Sequence, residues 1–240
     1  MRIDPDKCIS CLECIDICTM HCILEKDDGV CIDEDECVEC GVCLRTEICP
    51  TEAIYMPGES MEYPRIIRAQ FSDPGVEYPK LNQGGRGTEE MKTNDVTGRY
   101  LRGEFGMALE FGRPGIGTRI SEIEKVLKAL ISMDVEIEKN NPVFFLLEDE
   151  KTGTMKAEVR GEKILSAILE FKIREDALED MVKALVPVLE QVDTVVSWGL
   201  AARFERDGSL PVRSRLKHIG IPVRPNAKIN MGMGRPIIEA

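Results

Sequence analysis

From Arg102 onward, apolar and polar positions alternate in the rhythms of regular structure. A strand-like run at Phe105 to Phe111 leads through Gly112, Pro114 and Gly115 into a helical pattern. There Ile123, Val126, Leu127, Leu130 and Ile131 recur at i, i+3, i+4, i+7 and i+8, laying one apolar stripe along a helix. Ser121 and Glu124 have the spacing of a capping box at its start. Val135 and Ile137 alternate, and after Asn140-Asn141-Pro142 the apolar run Val143 to Leu147 reads as strand. Asp149 to Gly153 supplies a turn, and Ile164 to Phe171 predicts another strand. A second helix is expected from about Glu175 to Leu189, with Ala177, Leu178, Met181, Leu185, Val188 and Leu189 on one side and Pro187 kinking or ending it. Val195 to Phe204 closes the series as a strand. The order is βαββαβ, a split βαβ layout with two helices on one face of an antiparallel sheet, and its apolar stripes and Trp198 are expected to be core.

Around this region the punctuation changes. Residues 58–101, entered at Pro57-Gly58, carry Pro64, Pro74-Gly75, Pro79 and Gly84-Gly85-Arg86-Gly87, and are expected to form an irregular linker. The Gly84 to Arg99 loop, with Arg86, Asn94, Asp95 and Arg99, is a candidate anion cradle or cluster shelter set against a plain solvated linker. It lacks the Gly-Lys-Ser/Thr ending of a phosphate loop. Residues 209–240 contain four prolines and several glycines and read as an extended arm. The expected units are therefore 1–57, 58–101, 102–208 and 209–240.

Charge divides along the same lines. Sixteen Asp and Glu against four Lys and Arg in residues 1–62 account for the whole net charge of −12. From Arg203 to Arg235 eight basic residues face two acidic ones. An acidic head disfavours nucleic acid and favours a basic docking surface, on a redox protein, on an oxidoreductase or on the chain's own tail. A homo-oligomer or a subunit of a larger complex is the expected state. The longest apolar run, Val143 to Leu147, falls far short of the roughly 20 residues of a membrane span. The opening Met1 to Asp6 lacks a secretory layout, so a cytoplasmic location is expected.

All ten cysteines lie within residues 8–49. That segregation points to a reducing compartment and metal–sulfur chemistry rather than disulfides. The arrays are Cys8-x2-Cys11-x2-Cys14-x3-Cys18 and Cys37-x2-Cys40-x2-Cys43-x5-Cys49-Pro50. They resemble the bacterial-type dicluster ferredoxins, in which three ligands of a C-x2-C-x2-C-x3-C-P run hold one cluster and the fourth holds the other. The resemblance covers the first quarter of the chain. It implies two 4Fe-4S clusters, one on Cys8, Cys11, Cys14 and Cys49, the other on Cys37, Cys40, Cys43 and Cys18. Two departures stand out: Thr19 replaces the usual Pro, and x5 replaces x3 before Cys49, enlarging the loop beside the first cluster. The expected fold class is α+β, a small dicluster ferredoxin domain followed by a βαββαβ ferredoxin-like sandwich. In layout alone that sandwich resembles ACT-like domains.

Two cysteines are left over. Cys22 reads as a small buried residue after Cys18, with replacement of Cys18 as ligand the alternative; Cys31 reads as core in a short strand. His21 is expected to face solvent, and zinc is disfavoured because structural zinc draws ligands in separated pairs rather than two triplets. The function so implied is an electron-transfer protein or subunit, passing low-potential electrons to a partner oxidoreductase in an anaerobic setting. The alternatives are a ferredoxin-fused component of an anaerobic reductase or sulfur-transfer enzyme, and a redox-linked ACT-like regulatory module. No catalytic triad or carboxylate pair is visible in the sequence.

Overall fold

The computed structural model describes residues 1–27, 29–78, 83–84, 99–133 and 135–224. At the amino end, strands β1 (Arg2–Ile3), β2 (Ile23–Lys26), β3 (Gly29–Ile32) and β4 (Ile54–Tyr55) form two antiparallel pairs, β1 with β4 and β2 with β3. Between them run α1 (Glu13–Ile17) and α2 (Val42–Arg45). Helices of five and four residues are too short to persist alone. The apolar cluster around them is small too, with Met1, Met20, Cys22, Cys37 and Val38 at its buried centre. A scaffold with so little to bury needs a staple such as a bound metal.

The larger core belongs to a four-stranded antiparallel sheet of β5 (Glu104–Phe111), β6 (Glu136–Ile137), β7 (Ala167–Arg174) and β8 (Val196–Ala201), in the order β8-β5-β7-β6. Register sets Phe111 opposite both Ala167 and Val196, and Leu109 opposite Leu169 and Trp198. Because side chains alternate along a strand, Phe105, Met107, Leu109 and Phe111 share one face with Leu169, Phe171 and Ile173. That face meets α4 (Ile120–Ile131), through Ile123, Val126, Leu127 and Leu130, and α5 (Leu178–Leu189), through Leu178, Met181, Val182 and Leu185. Trp198 packs on the same core with its indole Nε1 3.3 Å from Met107 Sδ. The mixed α and β architecture and the βαββαβ order are as the apolar pattern predicts.

Several details differ from the sequence reading. The run Val143 to Leu147 is mainly a 3-10 turn, Pro142–Leu146, because Pro142 pre-sets its first position and the Asn141 side chain accepts from the Val143 N–H. The Ser121–Glu124 capping box does not form. The first N–H groups of α4 bond instead to the carbonyls of Glu162 and Arg160, while the Glu124 carboxylate turns inward to accept from Met155 N and pair with Lys128 and Arg160. The strand expected from Ile164 to Phe171 is broken at Leu165-Ser166. Pro187 sits inside the last turn of α5, which continues to Leu189.

The described parts of the two flanking segments are more ordered than their prolines suggest. Within the expected linker, α3 (Ile66–Ser72) drives Ile67 and Phe71 into the large core. At the start of the expected arm, α6 (Val212–His218) buries Val212 and Leu216. Residues 225–240, and most of the Gly84 to Arg99 loop including Arg86, Asn94 and Asp95, lie outside the described residues. Arg99 is paired with Glu138.

Helix α6 is held to α5 by Arg215, whose guanidinium donates to both oxygens of Glu179 and to the carbonyl of Glu175. The same contact pulls the Glu179 carboxyl down to about 2 from a usual 4.5. A carboxyl depressed by folding stabilises the fold above its ordinary pKa, and loses that contribution as pH falls through the folded value. Arg215→Ala is therefore expected to loosen α6 at neutral pH by up to about 1 kcal/mol, since the pair is partly solvated. Hydrogen exchange in α6 should show the difference from the parent shrinking between pH 5 and pH 3. A difference that does not depend on pH would assign the effect to packing.

Candidate metal centres

The two halves of the cysteine-rich region use one backbone device twice. In the first array Ser10 and Leu12, the residues before Cys11 and just after it, take left-handed φ values of 51° and 67°; in the second, Glu39 and Gly41 flank Cys40 with 54° and 68°. Alternating handedness curls each loop so that successive N–H groups face inward, the arrangement that receives sulfur anions. After the fourth cysteines the match continues. His21 and Glu52, each three residues on, both have φ of 52°, and the next N–H donates to sulfur: Cys22 N to Cys18 Sγ at 3.4 Å, Ala53 N to Cys49 Sγ at 3.2 Å. Position 41 needs glycine twice over. Its φ is left-handed, and an added Cβ would stand 2.6 Å from both Arg45 Nη1 and Asp73 Oδ2.

These loops shape two hollows of similar size. Cys8, Cys11, Cys14 and Cys49 line the first, with Ile9, Leu12 and Ile48 at its walls. Cys18, Cys37, Cys40 and Cys43 line the second, together with Cys22, Met1, Met20 and Val38. Each hollow thus draws three cysteines from one array and one from the other. The two extra residues before Cys49 extend the chain past α2 and carry Ile48 to the wall of the first hollow. Among the described residues, no group of three or more His, Cys, Asp or Glu side chains stands close enough to hold a single metal ion. The thiols are spread around the walls instead.

The chemistry of this donor set suits metal. Burial pushes the Cys43 thiol up to about 12 and raises Cys14 and Cys40 as well. Neighbouring thiols add to each rise, so gathering four thiolates in one hollow requires compensating cations. Cys22 is 4% exposed, with its Sγ 3.4 Å from Cys18 Sγ. Its hydrogen bonds to Cys18 and Cys37 favour thiolate on both. In the matched half Ala53 occupies the corresponding place. Cys31 lies half-buried in β3, and His21 is exposed.

The second hollow is flanked by residues that sequence reasoning did not single out. The Met1 amine is buried against Glu39, a carboxylate with 0% exposure that also takes Arg65 and Ser60. Burial alone would raise Glu39, yet the amine and Arg65 hold it below the usual carboxylate range. Arg68, 4% exposed in α3, donates to the carbonyls of Glu34, Asp35 and Cys37 at 2.8 to 3.1 Å, and pairs with Glu162 from the sheet unit. Glu36 bridges to Arg119 and Lys163 of the same unit. The turn at Thr19-Met20 packs on Gly115 and Gly117, where an added Cβ would meet Met20 Cε at 2.8 Å. Arg65 and Arg68, three apart just after an acidic head, were the available signal for this clamp.

Set beside known proteins, the first 50 to 60 residues resemble bacterial ferredoxins and ferredoxin-like oxidoreductase subunits. A ferredoxin of Rickettsia felis is 39% identical over 51 residues, 20% of this chain and 45% of its own length. Pyruvate synthase subunit PorD of Methanothermobacter marburgensis is 44% identical over 57 residues, covering 24% and 64% of the two chains. Indolepyruvate oxidoreductase subunit IorA of the same organism is 41% identical over 59 residues, 9% of its length. The chain spans about half the length of the ferredoxins it matches. No family model matches the chain, and no solved structure matches it. The remainder of the chain is unassigned. Among the described residues no helix is long and apolar enough to cross a membrane.

Proposed function

We propose that this chain is an electron-transfer iron–sulfur protein or subunit. In it Cys8, Cys11, Cys14 and Cys49 hold one 4Fe-4S cluster, while Cys37, Cys40, Cys43 and Cys18 hold a second. The clusters supply reversible one-electron chemistry. The polypeptide's part is to present thiolates and aim N–H groups at sulfur. The observation that carries this reading is the exchange of the fourth cysteine between the two hollows, because separate sites would keep each array to itself. A likeness to a subunit of pyruvate synthase favours a large oxidoreductase as partner over free diffusion between enzymes. The exposed carboxylates around the first hollow fit a basic docking surface on it.

The sheet unit fits the role of an anchor. Its strand order, with two helices on one face, supports the ACT-like layout expected from the apolar pattern. Its contacts to the cysteine region run through Arg68, Glu36 and the Gly115–Gly117 turn. Purified without air, the protein is expected to contain about eight iron and eight sulfide per chain, and to give an electron paramagnetic resonance signal on reduction. Markedly less iron, or zinc in its place, would reject the proposal.

A further inference from the structure

The two hollows are matched in backbone and unlike in charge. Exposed carboxylates at Asp6, Glu13, Asp16, Glu47 and Glu52 stand on the segments that flank Cys8, Cys14 and Cys49. Their own wall is open, with Cys11 exposed and Ile9 63% exposed. At the second hollow, cations touch the cysteines themselves. The Met1 amine lies 4.0 Å from Cys37 Sγ, Arg68 Nη1 donates to Cys37 O at 2.8 Å, and Arg45 Nη2 donates to Cys40 O at 2.8 Å. Three carboxylates there are engaged by cations, Glu39 by the amine and Arg65, Glu36 by Arg119 and Lys163, and Asp73 by Arg45, while Asp35 before Cys37 is exposed.

Reduction adds a negative charge, so nearby cations favour it and nearby carboxylates oppose it. Burial acts the other way, because a dry wall resists added charge. The same dry wall strengthens each cation in contact with it, whereas the carboxylates at the exposed hollow are screened by water. Cys22 Sγ, 3.4 Å from Cys18 Sγ, adds a further polar group to the second set alone.

We propose that Arg45 and Arg68 make the centre held by Cys18, Cys37, Cys40 and Cys43 the more readily reduced of the two, so that a singly reduced chain carries its electron beside the sheet unit. This rests on the electron-transfer reading above. The electron comes from a one-electron donor of the redox-partner class, and no bond is made or broken in accepting it.

The test is anaerobic potentiometry of the full chain, followed by electron paramagnetic resonance, on samples whose iron has been counted. Two separate reduction waves are expected. Arg45→Gln, a change at a half-exposed side chain that the fold should accept, is expected to lower the upper wave toward the lower one and leave the lower wave in place. Glu13→Gln should do the reverse, raising the lower wave. A single wave in a chain with its full iron overturns this inference alone, as does a shift of the lower wave in Arg45→Gln. A chain short of iron overturns the inference together with the reading beneath it.

Discussion

Arg68→Ala is expected to destabilise the protein by about 3 to 5 kcal/mol, the usual cost of removing one partner from a buried charge pair. The guanidinium is almost wholly out of solvent, and its loss strands several groups at once. Glu162 would keep its charge without its cation, and the carbonyls of Glu34, Asp35 and Cys37 would lose a shared donor. In a domain of this size such a loss lowers the melting midpoint by roughly 10 °C. Arg68→Lys should recover only part of it, because one ammonium cannot serve three carbonyls and a carboxylate in the fixed fork geometry of arginine. The measurement is thermal unfolding of Arg68→Ala, Glu162→Gln and the double variant. If Glu162 is the partner that matters, the double variant will be more stable than the sum of the two losses. Strict additivity would mean that Arg68 acts mainly through the carbonyls.

Cys49→Ala is expected to halve the iron, from about eight to about four per chain, and to empty the first hollow although Cys49 belongs to the second array. The surviving centre should be the one whose potential responds to Arg45→Gln. Were the other centre to survive, the exchange of fourth ligands would be wrong. Cys18→Ala is expected to be milder, because Cys22 Sγ stands 3.4 Å from Cys18 Sγ and can supply a thiolate at nearly the same place. The position matching Cys22 beside Cys49 is Ala53, which has none to give. Iron analysis of the two variants, prepared side by side without air, makes the comparison. Equal losses would show that Cys22 cannot reach.

The sheet unit was legible in the chain because its elements are long enough to repeat a period. Alternation along Phe105 to Phe111 and the stripe from Ile123 to Ile131 locate β5 and α4 to within a residue or two. Short elements carried no such signal. Seven residues between Pro64 and Pro74 give α3 fewer than two full turns of pattern, and the prolines on either side read as loop. The 3-10 turn at Pro142–Leu146 misled for the opposite reason, since five consecutive apolar residues fit strand and buried turn alike. At the cysteines, spacing was informative because three ligands from one tight loop admit few separations. What spacing could not reveal was the clamp, in which Arg68 meets Glu162 across 94 positions of sequence. Its parts are ordinary charged residues until the fold brings them together.

On the proposed ligand sets, the exchange of fourth cysteines would also order events during synthesis. As the chain leaves the ribosome, the donors of the second hollow are complete when Cys43 emerges, because Cys18 is already out. The first hollow, begun at Cys8, waits for Cys49, six residues later. Iron loading on a growing chain would therefore start at the site nearest the later-made sheet unit and finish at the one that faces water.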